Sequence, residues 1–420
     1  MGMKFEESRV SDPIKANLAE MGFVRPTDIQ YKALLPVQKG EDVFAVAQTG
    51  TGKTAAYAIP LVDRIHRGKS SRRTQGVRCL VMVPTRELAA QTGQVFNRLA
   101  RNTRVAVLSL HGGVEQEPQI ARLNTGVDVL VATPGRLFDL AHQGIFDLGR
   151  VHTLVLDEAD RMLDLGFVED IRRVKRMIPR DHQTLFVSAT INPDIKKIAY
   201  DLIRSQAIRI QISPDDPVSK NVEHAVIHVK AEEKRAFLAR FLMEHPSAKV
   251  VVFLRTRLRV ERVAAFLAKS GHTPQILHGD LAQDERTATL GRFSEAVSGL
   301  LLATDVSARG IDIPGVQYVI NFDLPDDPEV YVHRIGRTGR GHSKGSAIAF
   351  CSPDEQPKLD AIEHYLGTSL PVVHLGKSEY SKTLALFPEE GVEDPKAFIR
   401  EYENWVEQRL SKKRKGRKKG

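Results

Sequence analysis

The strongest constraint on the fold is a regular alternation of short apolar runs with longer stretches of helical periodicity. Seven runs lie in the first half of the chain, at residues 42–47, 78–83, 104–110, 128–133, 152–157, 183–189 and 208–212. Runs that are apolar throughout, rather than at every second position, are typical of strands buried on both faces of a parallel sheet. The first half is therefore predicted to form a doubly wound α/β domain.

The alternation stops at 'SPDDPVSK' (213–220), where prolines and aspartates without apolar periodicity indicate a linker. It then resumes in six runs, at residues 224–229, 249–254, 274–279, 299–304, 317–322 and 346–351. At 420 residues the chain is long enough for two such domains. We expect tandem parallel-sheet α/β domains at 1–212 and 221–372, followed by an irregular extension at 373–420.

The net positive charge of the chain is concentrated at its C-terminus. The last ten residues, 'SKKRKGRKKG', hold seven Lys or Arg residues and no acid, which leaves 54 basic and 52 acidic residues elsewhere. A polycation of this kind is typically disordered and lies along nucleic-acid phosphates. The alternative is an unstructured end that only aids solubility.

The cysteines and the apolar stretches bear on the cellular compartment. Cys79 and Cys351 each lie inside an apolar run, which predicts free thiols in core strands and a reducing compartment. The N-terminus 'MGMKFEESRV' lacks the pattern of a secretory signal, and no stretch approaches the ~18 apolar residues of a membrane span. These features predict a cytoplasmic protein with no membrane association.

The stretch 'AQTGTGKT' (47–54) follows the first apolar run and precedes a helical pattern, as a phosphate-binding loop does. Lys53 would reach the β- and γ-phosphates of a nucleotide, and the Thr54 hydroxyl would hold Mg²⁺. The loop backbone would surround a phosphate through Thr49, Gly50, Thr51 and Gly52. The alternative, a glycine-rich turn, leaves the lysine unexplained.

An acidic pair stands at the end of a later predicted strand, in 'DEAD' (157–160). In a nucleotide site, the first acid, Asp157, would hold Mg²⁺, and Glu158 would orient or deprotonate the attacking water. Read alone, the two acids are equally consistent with the start of a helix. Together with the phosphate loop they predict an ATP site.

Polar turns follow three further predicted strands, in 'PTREL' (84–88), 'HGG' (111–113) and 'TPGR' (133–136). The carboxyl ends of parallel strands line one crevice, so these turns are expected to lie together. Each alone is an ordinary loop, but together they predict a track for the phosphates of an extended strand. The residues concerned are Pro84, Thr85, Arg86, Gly112, Gly113, Thr133, Pro134, Gly135 and Arg136.

The motifs 'GFVRPTDIQ', 'AQTGTGKT', 'PTRELA', 'GG', 'TPGR', 'DEAD', 'SAT', 'HGDLAQDER', 'ATDVSARGIDIPG' and 'HRIGRTGR' resemble, in this order, those of DEAD-box RNA helicases over residues 5–372. The resemblance implies two RecA-like domains that close together over ATP and single-stranded RNA. It makes Gln30 the adenine reader, with Phe23 stacking, Arg25 also at the nucleotide, and Phe5 supporting the motif. Read alone, residues 22–30 are an ordinary helix junction with a Pro-Thr cap.

Further roles come from the resemblance alone. Ser188 and Thr190 of 'SAT' would link ATP hydrolysis to strand separation, and His333 would couple the site to the 'DEAD' loop. Asp312 would contact the ribose and Thr304 the RNA, while Gln283 and Arg286 match a less distinctive motif.

The second half lacks a phosphate loop and is not expected to be a second ATPase. Its 'HRIGRTGR' (333–340) places Arg337 and Arg340 three residues apart, so on one helical turn both would point at the same phosphate. As arginine fingers they would stabilise transition-state charge only when the domains close. The alternative is a solvated basic face.

Two positions depart from the family pattern. Asp28 stands where the family repeats proline in 'PTPIQ', and Arg255 stands where a small or amide residue is common. The first is expected to soften the turn that holds Gln30, and the second to add positive charge near the RNA path.

The sequence thus predicts an ATP-dependent RNA helicase, an RNA-dependent ATP hydrolase that locally unwinds short duplexes or remodels RNA–protein complexes. ATP and Mg²⁺ are the expected cofactors and RNA is the expected partner. A monomer is expected, with ribosomal or RNA-decay complexes as candidate assemblies. Two alternatives stay open: an RNA clamp that retains ATP and RNA, and a DNA-translocating helicase.

Overall fold

In the computed structural model, the structure describes residues 3–47, 50–71, 74, 76–191, 193–204, 206–212, 218, 221–305, 313–339 and 344–387, with only the backbone at 193 and 194. The predicted basic tail and, apart from Val218, the predicted linker lie outside the described residues. So do three predicted site residues, Thr49, Asp312 and Arg340.

The first domain is built on a seven-stranded sheet, and each of the seven predicted apolar runs forms one of its strands. The strands are β1 (Val43–Ala47), β2 (Cys79–Met82), β3 (Val107–Leu110), β4 (Val129–Ala132), β5 (Thr153–Leu156), β6 (Gln183–Ser188) and β7 (Ile208–Ile212). They pair in parallel in the order β3-β4-β2-β5-β6-β1-β7. The predicted parallel sheet is confirmed.

Helices cover both faces of this sheet because alternate strand residues enter two separate cores. On β2, for example, Val81 packs into one core and Leu80 into the other. After a short 3-10 turn (Phe5–Glu7), the helices are α1 (Asp12–Glu20), α2 (Asp28–Lys39), α3 (Lys53–Arg67), α4 (Arg86–Ala100), α5 (Glu117–Asn124), α6 (Pro134–His142), α7 (Ala159–Asp164), α8 (Val168–Met177) and α9 (Pro193–Leu202). Side chains from α1 to α4 fill the first core, and those from α5 to α9 fill the second.

The second domain repeats the plan with six strands, again one for each predicted run. They are β8 (Val222–His228), β9 (Lys249–Phe253), β10 (Gln275–Leu277), β11 (Gly299–Ala303), β12 (Tyr318–Asn321) and β13 (Gly345–Cys351), in the parallel order β10-β11-β9-β12-β13-β8. The helices are α10 (Lys234–Glu244), α11 (Arg257–Lys269), α12 (Gln283–Glu295), α13 (Pro328–Ile335) and α14 (Gln356–Leu366).

The sequence pattern predicts an irregular C-terminal extension, but part of the extension is helical. A further helix, α15 (Lys377–Leu386), packs on α10. The Tyr380 ring lies 4.7 Å from that of Phe237, and Arg240 donates to the Thr383 hydroxyl at 2.7 Å. The packing side chains are few and partly polar, so their apolar periodicity is too weak to predict the helix.

Both cysteines are free and buried, Cys79 in β2 and Cys351 in β13, which confirms their predicted place in core strands. None of the helices in the described part of the chain is long and apolar enough to cross a membrane.

Candidate active site and RNA-binding edge

Three predicted motifs meet at the carboxyl ends of β5, β6 and β1. These strands are neighbours in the sheet, with β6 in the middle. The phosphate loop follows β1, the 'SAT' residues end β6, and the 'DEAD' residues follow β5. Because parallel strands present their carboxyl ends at one edge, the three motifs line a single crevice.

The phosphate loop turns through two glycines in the left-handed region, Gly50 (φ 82°) and Gly52 (φ 85°). Residues with a Cβ rarely adopt this conformation, so glycine is needed at both positions. Gly52 directly precedes α3, whose N-terminal N–H groups and dipole favour an anion. The loop therefore has the form that a phosphate requires.

Lys53 lies in the crevice with its side chain buried and its Nζ donating to the Ala47 carbonyl at 2.7 Å. Burial lowers the pKa of Lys53, whereas the nearby carboxylates of Asp160, Glu158 and Asp157 raise it. Arg337 of the second domain also lowers the pKa of Lys53.

Asp157 is buried, and both of its carboxylate oxygens are held. Tyr57 Oη donates to Oδ2 at 2.6 Å, and the backbone N–H of Glu158 donates to Oδ1 at 3.0 Å. Burial raises the pKa of Asp157 to about 6, although the Tyr57 hydrogen bond and Lys53 act in the opposite direction.

The oxygen donors of Thr54 and Asp157 fit Mg²⁺, which binds proteins through one or two oxygens and keeps waters and phosphate oxygens as its other ligands. Asp157 is buried at 2% exposure, so an ion bound there would also compensate a carboxylate that is costly to keep charged. The described residues contain no cluster of three or more His, Cys, Asp or Glu side chains suited to another metal.

Glu158 adopts a backbone conformation that is unusual for a residue with a side chain. Its φ of 49° and ψ of 49° lie in the left-handed region, at the start of α7. Its Oε2 lies 3.4 Å from Arg161 Nη1. Strained conformations of this kind persist where the surrounding structure holds them and are frequent in active sites.

Gln30 is buried and joins α2 to the phosphate loop. Its Oε1 accepts the Thr27 N–H at 3.0 Å, and its Nε2 donates to the Gly52 carbonyl at 3.3 Å. The amide keeps one further donor and one further acceptor site, so these bonds are compatible with adenine recognition. Phe23 lies edge-on to Phe5, with ring centroids 6.4 Å apart. The predicted Arg25 is exposed.

Asp28 supports this turn rather than softening it, contrary to expectation. It is the first residue of α2, and Thr27 and Gln30 form the reciprocal capping bonds of a capping box. An acid in the first turn also interacts favourably with the helix dipole, which is the physical reason for the correction.

The three predicted RNA motifs lie together at the ends of β2, β4 and β3, which are adjacent in the sheet. Thr85 caps α4 by accepting the Leu88 N–H, and Thr133 precedes α6. Arg136 Nη2 donates to the Val114 carbonyl at 2.9 Å, which joins 'TPGR' to the segment after the Gly112–Gly113 pair. Arg136 Nη1 is buried and has no hydrogen-bond partner among the described residues.

The remaining members of this edge are Pro84 and Pro134, which are buried, and Gly113 and Gly135, which are exposed. Arg86 is exposed and approaches Gly112 and Gly113, where an added Cβ would meet its guanidinium. The geometry therefore brings the three motifs into one basic, glycine-lined edge.

Asp160, which sequence reasoning left without a role, links 'DEAD' to 'SAT'. Its Oδ2 accepts the Ala189 and Thr190 N–H groups, both at 3.0 Å, and the Thr190 hydroxyl at 3.1 Å. Ser188 Oγ donates to the Thr190 carbonyl at 2.8 Å. Burial would raise the pKa of Asp160, but His333 and Lys53 outweigh it, and the pKa is lowered.

A second missed residue is Glu329 on α13 of the second domain, whose pKa is raised by burial and by Asp327 and lowered by the Thr190 side chain. The predicted coupling residues Ser188, Thr190 and His333 are thus brought together around Asp160. Both residues could have been found from their positions in the sequence. Asp160 is the last residue of 'DEAD', and Glu329 lies one helical turn before His333.

The shared helical turn of Arg337 and Arg340 stays a prediction, because Arg340 lies outside the described residues. Helix α13 ends at Ile335, and Gly339 lies in the left-handed region (φ 65°). Arg337 follows the helix end, is buried at 5% exposure, and its Nε donates to the His333 carbonyl at 3.0 Å. Gly336 is the C-cap of α13, so Arg337 lies beyond the helix.

Arg334, the first arginine of the same motif, serves the second domain itself. Its guanidinium binds Asp305 bidentately, at 2.5 and 2.7 Å, and also donates to Asn321 Oδ1 at 3.0 Å. The predicted RNA residue Thr304 lies next to Asp305, at the end of β11. Arg255 lies 3.6 Å from the buried Glu355, which also pairs with Lys234, so the added positive charge of Arg255 near the RNA path stays a prediction.

The domains also meet at Glu87, a residue of 'PTREL' that sequence reasoning did not single out. Arg286 Nη2 lies 2.8 Å from Glu87 Oε1, and Gln283 Nε2 donates to the same oxygen at 3.3 Å. Gln283 Oε1 in turn accepts from Arg86 at 3.4 Å. The less distinctive motif of α12 therefore contacts the RNA-binding edge of the first domain.

Two parallel α/β domains that share a phosphate-loop crevice define a nucleotide-driven enzyme of the helicase class. A model of the DEAD/DEAH box helicase family matches residues 27–198, and one of the helicase conserved C-terminal domain matches residues 233–342. The chain belongs to the DEAD-box RNA helicase family. It is accordingly an ATP-dependent RNA helicase, an enzyme that consumes ATP and acts on RNA.

Individual relatives agree with this assignment. The chain is 40% identical to the DEAD-box ATP-dependent RNA helicase CshA of Bacillus cereus over 359 residues, 86% of this chain and 67% of that protein. It is 38% identical to the ATP-dependent RNA helicase RhlB of Shewanella oneidensis over 373 residues, 88% of this chain and 85% of that protein.

Two solved structures share the fold of both domains. Dbp5 of S. cerevisiae, bound to RNA and ADP BeF3, overlays with a TM-score of 0.80 at 30% identity, covering 91% of this chain and 98% of that chain. Mss116p, bound to ssRNA and AMP-PNP, overlays with a TM-score of 0.81 at 26% identity, covering 93% and 83%.

Proposed function

We propose that the protein hydrolyses ATP with Mg²⁺ in the cleft between its two domains. Closure of that cleft on RNA would locally unwind a short duplex or remodel an RNA–protein complex. The observation that carries the proposal is that side chains of the second domain contact the first domain: Arg286 Nη2 lies 2.8 Å from Glu87 Oε1, and Gln283 Nε2 donates to the same oxygen at 3.3 Å. In the phosphate-loop crevice, Arg337 lowers the pKa of Lys53, and His333 lowers that of Asp160.

The proposed division of labour follows from the contacts. Lys53 would bind the β- and γ-phosphates, while Thr54 and Asp157 would hold Mg²⁺, which would neutralise charge on the phosphates. Glu158, directly after Asp157, would orient or deprotonate the attacking water. Arg337 would stabilise transition-state charge from the second domain, so hydrolysis would depend on closure.

RNA would bind along the edge formed by 'PTREL', 'GG' and 'TPGR'. Arg86 and Arg136 supply positive charge there, and Nη1 of Arg136 has no hydrogen-bond partner among the described residues. Helices α4 and α6 begin at the same edge. The chain shares its fold with structures of Dbp5 and Mss116p bound to RNA, which supports RNA as the partner. A preference for RNA over DNA would come from contacts with the 2′-OH.

The test is steady-state ATP hydrolysis without nucleic acid, with single-stranded RNA, and with DNA of the same sequence. We expect strong stimulation by RNA only and its loss in Glu158→Gln, which keeps the size of the side chain but removes the base. Arg172→Gln, an exposed change on α8, serves as the control. Equal stimulation by DNA, or none by either, would refute the proposal.

The remaining rival is an RNA clamp, which would hold RNA through many ATP lifetimes. Single-turnover release of labelled RNA distinguishes the two, because a remodeller releases RNA at the rate of hydrolysis. We further propose that the protein is a cytoplasmic monomer that acts together with ribosomal or RNA-decay complexes. Sedimentation of the purified chain tests whether it is monomeric.

A further inference from the structure

Tyr57 lies in the crevice but belongs to none of the motifs discussed above. It is on α3, three residues after Thr54 and four after Lys53, so the three side chains share one face of the helix. Its ring is buried at 2% exposure and lies against that of Phe96, with centroids 6.0 Å apart.

The phenol of Tyr57 connects the two elements that carry the proposed Mg²⁺ ligands. Its Oη donates to Asp157 Oδ2 at 2.6 Å, a charge-assisted bond between α3 and the end of β5. Burial and Asp157 raise the pKa of Tyr57, whereas the Thr54 and Thr92 side chains lower it. Thr54 lies one helical turn before Tyr57 on the same helix.

We propose that Tyr57 is a positioning residue for Mg²⁺, whose hydroxyl holds the Asp157 carboxylate so that Asp157 and Thr54 present their oxygens together. The inference rests on the proposed function of this site. Mg²⁺ demands near-ideal octahedral geometry, so the orientation of each protein oxygen matters. Groups that orient a metal ligand from behind tune its affinity for the metal.

The competing explanation is that Tyr57 only fills the core between α3 and α4. Tyr57→Phe separates the two, because it keeps the ring and removes only the hydroxyl. Tyr380 offers a matched control: its hydroxyl donates to the Glu233 carboxylate in the second domain. Tyr380→Phe therefore removes the same type of bond outside the crevice.

The experiment measures binding of a fluorescent ATP analogue to the full chain over a series of Mg²⁺ concentrations and in EDTA. Tyr57→Phe should raise the half-saturating Mg²⁺ concentration about tenfold, the usual effect of losing a group that orients a metal ligand. Affinity in EDTA should stay close to wild type, and Tyr380→Phe should leave the Mg²⁺ dependence unchanged. Asp157→Asn should abolish the effect of Tyr57→Phe, since the hydroxyl acts through that carboxylate.

An unchanged Mg²⁺ dependence would overturn the proposal. So would an equal loss of affinity with and without Mg²⁺, a fall in Tm alone, or a full effect of Tyr57→Phe in the Asp157→Asn background. The proposed function is judged separately on the wild-type chain: if RNA fails to stimulate its ATP hydrolysis, that proposal fails whatever Tyr57 does.

Discussion

The contact between the domains at Glu87 can be tested by removing its two charges in turn. Arg286 Nη2 and Glu87 Oε1 are 2.8 Å apart, and the side chains are only 13% and 11% exposed. Salt therefore screens this pair less than a surface pair. Because the two residues belong to different domains, Arg286→Ala and Glu87→Ala should both disfavour the closed arrangement.

The free energy that this ion pair contributes to closure can be worked out from the distance between Arg286 and Glu87 and from the hydrogen bonds of Arg286. At 2.8 Å and an effective dielectric constant of about 20, the attraction is roughly 6 kcal/mol. Desolvation offsets most of it, and a charge-assisted hydrogen bond contributes about 1.5–3 kcal/mol net. Arg286 Nε is buried without a hydrogen-bond partner among the described residues, which favours the lower value. That value corresponds to about a tenfold change in the closure equilibrium.

The assay is RNA-stimulated ATP hydrolysis as a function of RNA concentration, for Arg286→Ala, Glu87→Ala and the double variant. Each single variant should raise the half-saturating RNA concentration about tenfold, and the double variant should be little worse than either. Arg172→Ala breaks an exposed pair with Glu169 inside the first domain and should have little effect. Fully additive single effects would refute the idea that the pair acts as a unit in closure.

Three further predictions concern single residues and the tail. Asp157 has its pKa raised from 3.8 to about 6, so its contribution to stability is present below 3.8 and lost as the pH rises through 6. In Mg²⁺-free protein Asp157→Asn should therefore be more stable than wild type at pH 7.5 by on the order of 2–3 kcal/mol, and this difference in unfolding midpoints should vanish toward pH 4. Arg334→Ala leaves the Asp305 carboxylate without its bidentate partner. The variant should therefore destabilise the second domain by about 3–5 kcal/mol, measured by thermal unfolding. A loss of stability under about 1 kcal/mol would contradict the structural role of this arginine. Deleting residues 411–420 should weaken RNA binding and flatten its salt dependence while leaving RNA-saturated turnover nearly intact, and an unchanged affinity at low salt would remove the role of the tail.

All thirteen strands of the described chain could be predicted, because a strand in the core of a sheet needs apolar residues close together in the sequence. A strand such as β2 is buried on both faces, and every one of its residues must be apolar. Helix α15 could not be predicted in the same way. It contacts α10 through an aromatic ring, a hydroxyl and a carboxylate, and Thr383 is its one residue that is fully buried.

The phosphate loop and the acidic pair were also predictable, since each depends on neighbours in the sequence. The residues that were missed depend on partners far along the chain. Tyr57 bonds a carboxylate 100 residues away, and Glu87 accepts from an amide 196 residues away. No local pattern marks them, because tyrosine on a buried helix face and glutamate in a first helical turn are both ordinary.

The motif 'HRIGRTGR' does not reveal which of its arginines has a structural role and which acts at the nucleotide site. Arg334 and Arg337 are three residues apart and chemically identical, yet Arg334 is held inside the second domain by Asp305, while Arg337 acts on Lys53 across the cleft. Helix α13 ends at Ile335, between the two residues, so Arg334 is part of the helix and Arg337 follows its end. Replacing Arg334 should therefore lower the Tm of the second domain, whereas replacing Arg337 should lower turnover at a nearly unchanged Tm. Equal effects on both measurements would mean that the helix end does not separate the two roles.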